Sequence, residues 1–474
     1  MIMNNIRICG LRFLVCFLLG FLLFINEYGG GNCFSQEPKM TGLRLAVFDV
    51  DATPPVGSYM AYQSVTNIWD MGLRARGIVL LGSGQPIVLL SVDWIGISNE
   101  GQDEFKRALA GAAGTIPERV AVHTIHQHDA PRCDFSTEKI LKEAGLNPMG
   151  FEGTFTREVI KRLETDVQKS LGNSQPVTHV GLGEAQVYQV ASNRRILGPE
   201  GRVRAGRMSS CSNPDIIAEP EGTIDPMVSL VSFWNNDKPL AILSYYATHP
   251  QSYYMTSIPN PDFVGVARFY RQLAIPNALH VHFNGASGNV AAGKYNDGSH
   301  EMRGILAERL ADGMKRAWEA TKREAISPDA VGWKVESVAL PLTKYIENLK
   351  AVINVKMKDT AFLMVKPWNR NARQLALLQR SEAGKKIDVS CLTLGHARIL
   401  QLPGELFIEY QLAAKKMRPD LFVTMAAYGD CAPGYIGTAI AYKQGGYEVG
   451  ASNVSPEVEN VLMTSIRKLL QVKP

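Results

Sequence analysis

Between residues 77 and 128 the chain reads apolar run, tight turn, apolar run, helix, apolar run, and then two histidines. That order confines it to an α/β arrangement. "GIVLLGSGQPIVLLSVDWIGI" (77–97) is two apolar segments about a Gly-Ser-Gly turn, which predicts a strand pair. "NEGQDEFKRALAGAAG" (99–114) predicts a helix capped by Asn99 and stopped by Gly114. "RVAVHT" (119–124) predicts the next strand, and His126 and His128 follow it. In open α/β sheets, ligand and catalytic groups gather at the carboxyl ends of strands.

The pattern returns downstream. "MVSLVSFW" (227–234), a turn at Asn235–Asp237 and "LAILSYYATHP" (240–250) predict a hairpin that ends on His249. "ALHVHFNGASGNV" (278–290) predicts a strand running into a Gly-rich turn. "EMRGILAERLADGMKRAWEA" (301–320) sets Ile305, Leu306, Leu310, Met314 and Trp318 at helical spacing, so it should bury one stripe. "ARILQLPGELFIEYQLAAKK" (397–416) predicts a strand, a Pro-Gly turn and a helix with Glu405 at or near its start. Residues 346–386 are mostly helical in composition and define no element by themselves. There is no internal repeat and no low-complexity linker, which argues against separable modules.

The N-terminus reads as a leader. Arg7 and Arg12 precede "FLVCFLLGFLLFI" (13–25), and small residues follow. This apolar core is short for a membrane span, which needs ~20 residues. We therefore expect a signal peptide over residues 1–35 and export to the periplasm or the extracellular space, with an uncleaved anchor as the alternative. Beyond it lie Cys133, Cys211, Cys391 and Cys431, whose spacing shows no CxxC metal knuckle. Two disulfides and isolated thiols are both open. A net charge of +5 over 474 residues, with no basic cluster, gives no indication of nucleic-acid binding.

Candidate chemistry concentrates on four residues. In an extended segment His126 and His128 would project to one side, able to serve one zinc together, or zinc and substrate separately. His123 is better placed to bond or pack within the strand end. His249 stands directly after a strand and before Pro250, and Glu405 sits in "LPGE". A satisfied histidine and a carboxylate at a helix N-terminus are the plainer readings of those two. Catalytic zinc takes three protein ligands from His, Asp or Glu and keeps a position for water, a need these residues fit.

The ordered motifs "LAVFDVDATPPVG" (45–57), "SVDWIGI" (91–97), "IHQHDAP" (125–131), "SNRR" (192–195), "ATHPQS" (247–252), "NGASGNV" (284–290), "PGE" (403–405) and "PGYIGTAIAYKQGGYEVGAS" (433–452) resemble the neutral/alkaline non-lysosomal ceramidase family. The resemblance implies an α/β mixed-sheet zinc-hydrolase domain over residues 36–474. It implies Zn²⁺ held by His126, His249 and Glu405 with Tyr435 close. His128 would be the catalytic histidine, Tyr447 a second active-site tyrosine, and Arg194 a contact to the polar substrate head. The implied reaction is hydrolysis of the amide bond of a ceramide-like N-acyl lipid or related N-acyl compound by zinc-activated water. Membrane contact would be peripheral, through the substrate. Another metallohydrolase, or an idle binding protein that keeps the fold, are the alternatives.

Three departures stand out. The family's Ser-Gly-Pro after the second histidine is Asp129-Ala130-Pro131 here, and Ala291 stands where its implicated serine would be. The stretch after the tyrosine motif is also short for the family's additional C-terminal β-sandwich. The expectation is therefore direct attack by water, with no acyl-enzyme on the 284–292 loop and Ser287 not acting as nucleophile.

Overall fold

All six residues of strand Ile87–Val92 are buried, because the strand is covered on both faces. Successive side chains alternate across a strand. Ile87 and Leu89 enter a central core, while Val88, Leu90 and Val92 pack against helices Glu100–Ala113 and Thr154–Gly172. A strand used on both faces reads as an uninterrupted apolar run, which is how the sequence disclosed it. The protein is described by a computed structural model covering residues 42–349 and 370–473. The leader assigned to residues 1–35 lies outside the described residues.

Three large sheets share one design. The first runs Val120–Thr124, Ile87–Val92, Arg74–Leu81, Arg44–Asp51 and Gln175–Pro176, with only its first pair parallel. The second runs Leu279–Asn284, Lys238–Tyr246, Met227–Asn235, His179–Gln186 and Lys322–Ala325, again with only the first pair parallel. The third runs Phe422–Ala426, Ala397–Gln401, Ile387–Leu394 and Val331–Val338 on the same plan. Each therefore contains a hairpin, then a helix, then a strand parallel to the hairpin's second member. The connecting helices are Glu100–Ala113, Asp262–Ala274 and Ile408–Met417. The sequence carries no repeat, yet the architecture repeats.

The inner faces of the three sheets meet. Leu45, Ile78 and Leu89 of the first, Val231, Leu243 and Phe283 of the second, and Leu392, Ile399 and Ala426 of the third form one core. This brings the carboxyl ends of the three parallel strands together, and hydrogen bonds staple them. Thr124 N donates to Tyr428 O at 3.0 Å and Ala427 N to Asn284 O at 2.9 Å. Asn284 Nδ2 donates to Ile125 O at 3.2 Å.

Several local expectations are corrected. The helix after the first hairpin starts at Glu100 and stops at Gly114, but Asn99 does not cap it. Asn99 has φ 53°, and its amide donates to Asp134 instead. On helix Glu301–Glu319, Leu306, Leu310 and Met314 are buried and Trp318 partly so, but Ile305 faces outward. Glu405 lies in the short strand Glu405–Leu406, paired in parallel with Tyr435–Ile436, three residues before the helix Ile408–Met417 and thus near its start as expected. Within 346–386 the described part holds a helix, Arg370–Glu382; residues 350–369 fall outside the described residues. The four described cysteines are free thiols. Among the described residues no helix is long and apolar enough to cross a membrane.

One buried ion pair ties the first sheet to the second. Asp93, directly after strand Ile87–Val92, accepts from Arg268 Nη1 and Nη2 at 2.6 Å each, and both side chains are buried. Breaking such a pair strands a charge in the interior at a cost of about 3–5 kcal/mol. Asp93→Ala should therefore lower the unfolding free energy by about that amount in urea titration. A loss within error of zero would show that Arg268 finds another partner.

Candidate metal centre

His126 reaches the site through a strained turn. Its φ is 64°, a region non-glycine residues rarely take and one that clusters at functional sites. The segment after Thr124 is thus not extended, and strand alternation is not what juxtaposes His126 and His128. The left-handed turn does so, setting the two rings 5.1 Å apart at 86°. Tyr428, also left-handed at φ 60°, stacks on His126 at 4.5 Å.

Three elements converge here. His126 follows the parallel strand of the first sheet, His249 follows the hairpin of the second, and Glu405 follows the hairpin of the third. His126 Nδ1 donates to Ile95 O at 2.5 Å and His249 Nδ1 to Ser287 O at 2.8 Å. Those bonds fix the tautomer and turn each Nε2 lone pair inward. Both Nε2 atoms lie 3.3 Å from Glu405 Oε2. The candidate ligand nitrogens of His126, His128 and His249 lie within 4.8 Å of one another.

The electrostatics need a cation. Burial, opposed by Glu405, pulls the His249 pKa to about 4, so that ring is neutral near pH 7. Burial would raise the Glu405 carboxyl, and only positive charge on His126 and His249 holds it well below the usual range, so with neutral rings the carboxylate needs another cation. A carboxylate oxygen thus faces imidazole lone pairs, and neither Glu405 Oε2 nor His249 Nε2 has a hydrogen-bond partner among the described residues. Buried polar atoms are rarely left so. Two imidazole nitrogens and a carboxylate oxygen with an open side fit zinc well. The residues present suit the metal that the resemblance implies.

His128 stands beside this set in another role. Its Nδ1 is 2.9 Å from the Tyr62 hydroxyl, while its Nε2 is buried with no partner among the described residues. Burial first, then His126 and His249, lowers its pKa well below the ordinary imidazole value. Tyr435 stacks near His249, with centroids 6.3 Å apart and planes at 14°, and Tyr447 meets Tyr435 edge-on at 5.7 Å. His126, His128, Glu405, Tyr435 and Tyr447 line one pocket of ≈ 340 Å³.

Arg194 lies behind that wall. Its Nη1 donates to the Tyr435 hydroxyl at 3.2 Å and its Nε pairs with Glu448 at 3.2 Å, so it fixes the tyrosine. His123 bonds the Ala427 carbonyl at 2.7 Å and takes no part. Ser287 is fully buried, its hydroxyl 2.7 Å from that of Tyr428, and Ala291 is buried in a two-residue strand beside Ser192. Asp129 accepts from the backbone of Met255 and Thr256 and from the Thr256 hydroxyl. It thereby pins the loop whose Tyr254 ring packs 5.3 Å from His128.

Sequence reasoning missed Tyr62, Tyr254, Tyr428, Arg132 and Arg373. Tyr62 sits 66 positions from the histidine it bonds, in a loop of no periodicity. Only Tyr428 carried a local hint, two residues beyond a strand end.

No family model matches the chain, and no curated protein matches it in sequence. Solved structures do. The neutral ceramidase from Pseudomonas aeruginosa superposes with a TM-score of 0.62 at 16% identity, covering 91% of this chain and 74% of that one. The chain has the fold of neutral ceramidase. A ceramidase complexed with C2 matches equally, with a TM-score of 0.61 and 16% identity over 91% and 74% of the two chains. At that identity the likeness concerns the fold, and the ligand geometry above stands on this chain's own residues.

Two predictions follow from the geometry. His249→Ala should lose most bound zinc, measured by plasma mass spectrometry on protein whose circular dichroism is unchanged, whereas His128→Ala should retain it. Zinc loss in His128→Ala would make His128 a ligand. Separately, Gly288 approaches the ligand backbone so closely that a Cβ there would sit 2.1 Å from Glu405 O. Gly288→Ala should move Glu405 and weaken zinc binding ~10–100-fold in a chelator competition, the usual effect of disturbing a ligand's support.

Proposed function

We propose that the protein is an exported zinc-dependent hydrolase that cleaves the amide bond of an N-acyl compound. The observation that carries this reading is the convergence of His126 and His249 on Glu405, with Glu405 Oε2 and His249 Nε2 lacking a hydrogen-bond partner among the described residues, beside a neutral His128 whose Nε2 is equally free. The fold shared with neutral ceramidase supports it.

Zinc, when bound, would polarise the amide carbonyl and acidify a water. The remaining work belongs to the protein. Amide hydrolysis needs one proton removed from the attacking water and one delivered to the departing nitrogen. His128 Nε2 can accept the first and return it, since its ring is neutral and Tyr62 orients it through Nδ1. The hydroxyls of Tyr435 and Tyr447 remain protonated, as burial raises both pKa values, so each can donate to a carbonyl oxygen gaining charge. Arg194 steadies Tyr435 in that role.

An apolar acyl group suits the surroundings. The segments that supply Tyr62 and Tyr254 also expose the apolar side chains Ile68, Trp69 and Met255, which an acyl chain could contact. Peripheral contact with a membrane would then come through the substrate. Ser287 and Ala291 offer no nucleophile, which favours direct attack by water.

Zinc-loaded protein should release free acid from a panel of N-acyl amines and amino alcohols without a burst of amine. His128→Ala should keep its zinc and lose ~10²–10⁴ in kcat, the usual contribution of a general acid–base group. Zinc-replete protein that releases no acid from any member would refute the hydrolase reading.

A further inference from the structure

The pocket holds a feature that amide hydrolysis by itself does not use. Arg132 and Arg373 both line it together with His126 and Glu405, on elements that meet only in the folded chain. Arg132 opens the short strand Arg132–Cys133, which pairs with Gly96–Ile97. Arg373 lies on helix Arg370–Glu382.

Neither arginine has an acidic partner at ion-pair distance among the described residues. The Arg132 guanidinium lies over the faces of Tyr62 and Phe151, at 6.0 Å and 5.5 Å from the ring centroids. No hydrogen bond or ion pair joins either arginine to a carboxylate among the described residues. Asp134 feels the charge of Arg373, but its oxygens already accept from Asn99 and Thr137. Arg132 and Arg373 are part-buried, whereas the fully buried arginines among the described residues are matched. Arg194 meets Glu448, Arg268 meets Asp93, Arg303 meets Asp262, and Arg207 is surrounded by carbonyl oxygens. Two like charges in one pocket repel, and burial together with Arg373 pulls the Arg132 pKa down to about 10. Glu405 is the nearby opposite charge, and a divalent ion on Glu405 would use it up. The pocket lining would then carry two guanidinium charges and, among the described residues, no free carboxylate.

We propose that Arg132 and Arg373 form an anion subsite, so that the preferred substrate carries an acidic group, a carboxylate or a phosphate, a few bonds from the scissile amide. This rests on the hydrolase reading for its catalytic consequence, though not for the binding itself. Guanidinium groups suit the task, because their planar forks bond carboxylate and phosphate oxygens in pairs. The site would accept an amphiphile with an acidic head, held so that its amide carbonyl lies over His126 and Glu405. A neutral amino-alcohol amide would leave both charges uncompensated, and a pocket built around a charge discriminates strongly against a ligand lacking it.

The test compares N-lauroylglycine, N-lauroylethanolamine and N-lauroyl-phosphoethanolamine, which share an acyl chain and differ in head group. With zinc-loaded protein, kcat/KM for at least one anionic substrate should exceed that of the neutral one ~10-fold or more, as expected for charge-assisted bonds. The carboxylate and phosphate arms identify the anion. In R132Q/R373Q that ratio should fall to near one, a readout that does not depend on how much enzyme is folded. Equal rates on all three, or an unchanged ratio in the variant, would overturn the proposal. If no substrate is cleaved, the hydrolase reading fails but the subsite is still decided. Calorimetric titration should then show N-lauroylglycine or N-lauroyl-phosphoethanolamine binding wild type ~10-fold tighter than R132Q/R373Q, with N-lauroylethanolamine indifferent. Equal affinities there would reject it.

Discussion

A buried carboxylate facing two imidazole lone pairs is the interaction around which the rest of the structure is arranged. Glu405 Oε2, 3.3 Å from each Nε2, has no proton to share with either. Such a contact is repulsive in a low-dielectric interior unless a cation stands between the three atoms. The protein nevertheless holds all three rigidly. The histidines are locked by carbonyls of Ile95 and Ser287, and Glu405 by pairing with Tyr435 and by the close approach of Gly288. Support of this kind costs conformational freedom and backbone strain, and it is repaid only when the site is filled.

The three-sheet architecture explains how the ligands come to one point. A parallel strand pair with a crossover helix leaves the carboxyl ends of both strands on one side. Packing three such units face to face sends all those ends to a common region, where Thr124 bonds Tyr428 and Asn284 bonds Ala427 and Ile125. Each sheet then contributes one metal-competent side chain. The same convergence makes the site sensitive to distant packing, since a shift of one sheet moves one ligand relative to the other two.

The pocket beside the ligands divides by chemistry. Histidine and tyrosine supply the groups that would exchange bonds, and Arg132 with Arg373 supply fixed positive charge. The departure Asp129-Ala130-Pro131 belongs to this division. Asp129 fixes the loop bearing Tyr254, and the chain then leads directly to Arg132. The histidine motif and the residues after it thus serve different tasks within a few positions of one another.

The sequence alone determined which residues end the strands and what they are. Apolar runs, turn glycines and helix stops are local signals, so Ile87–Val92, Val120–Thr124 and helix Glu100–Ala113 were legible, and so were His126, His249 and Glu405 as candidates. It misjudged Asn99, Ile305 and the extended path of His126, because an unexpected partner or a left-handed turn overrode local preference there. Only the tertiary structure decided that two histidines meet one oxygen of Glu405, that Tyr62 orients His128, and that two arginines line the same pocket. The physical reason is distance along the chain. Those contacts are made by sheets packing on a shared core, and no periodicity of three, four or two residues records which strand ends a core will bring together.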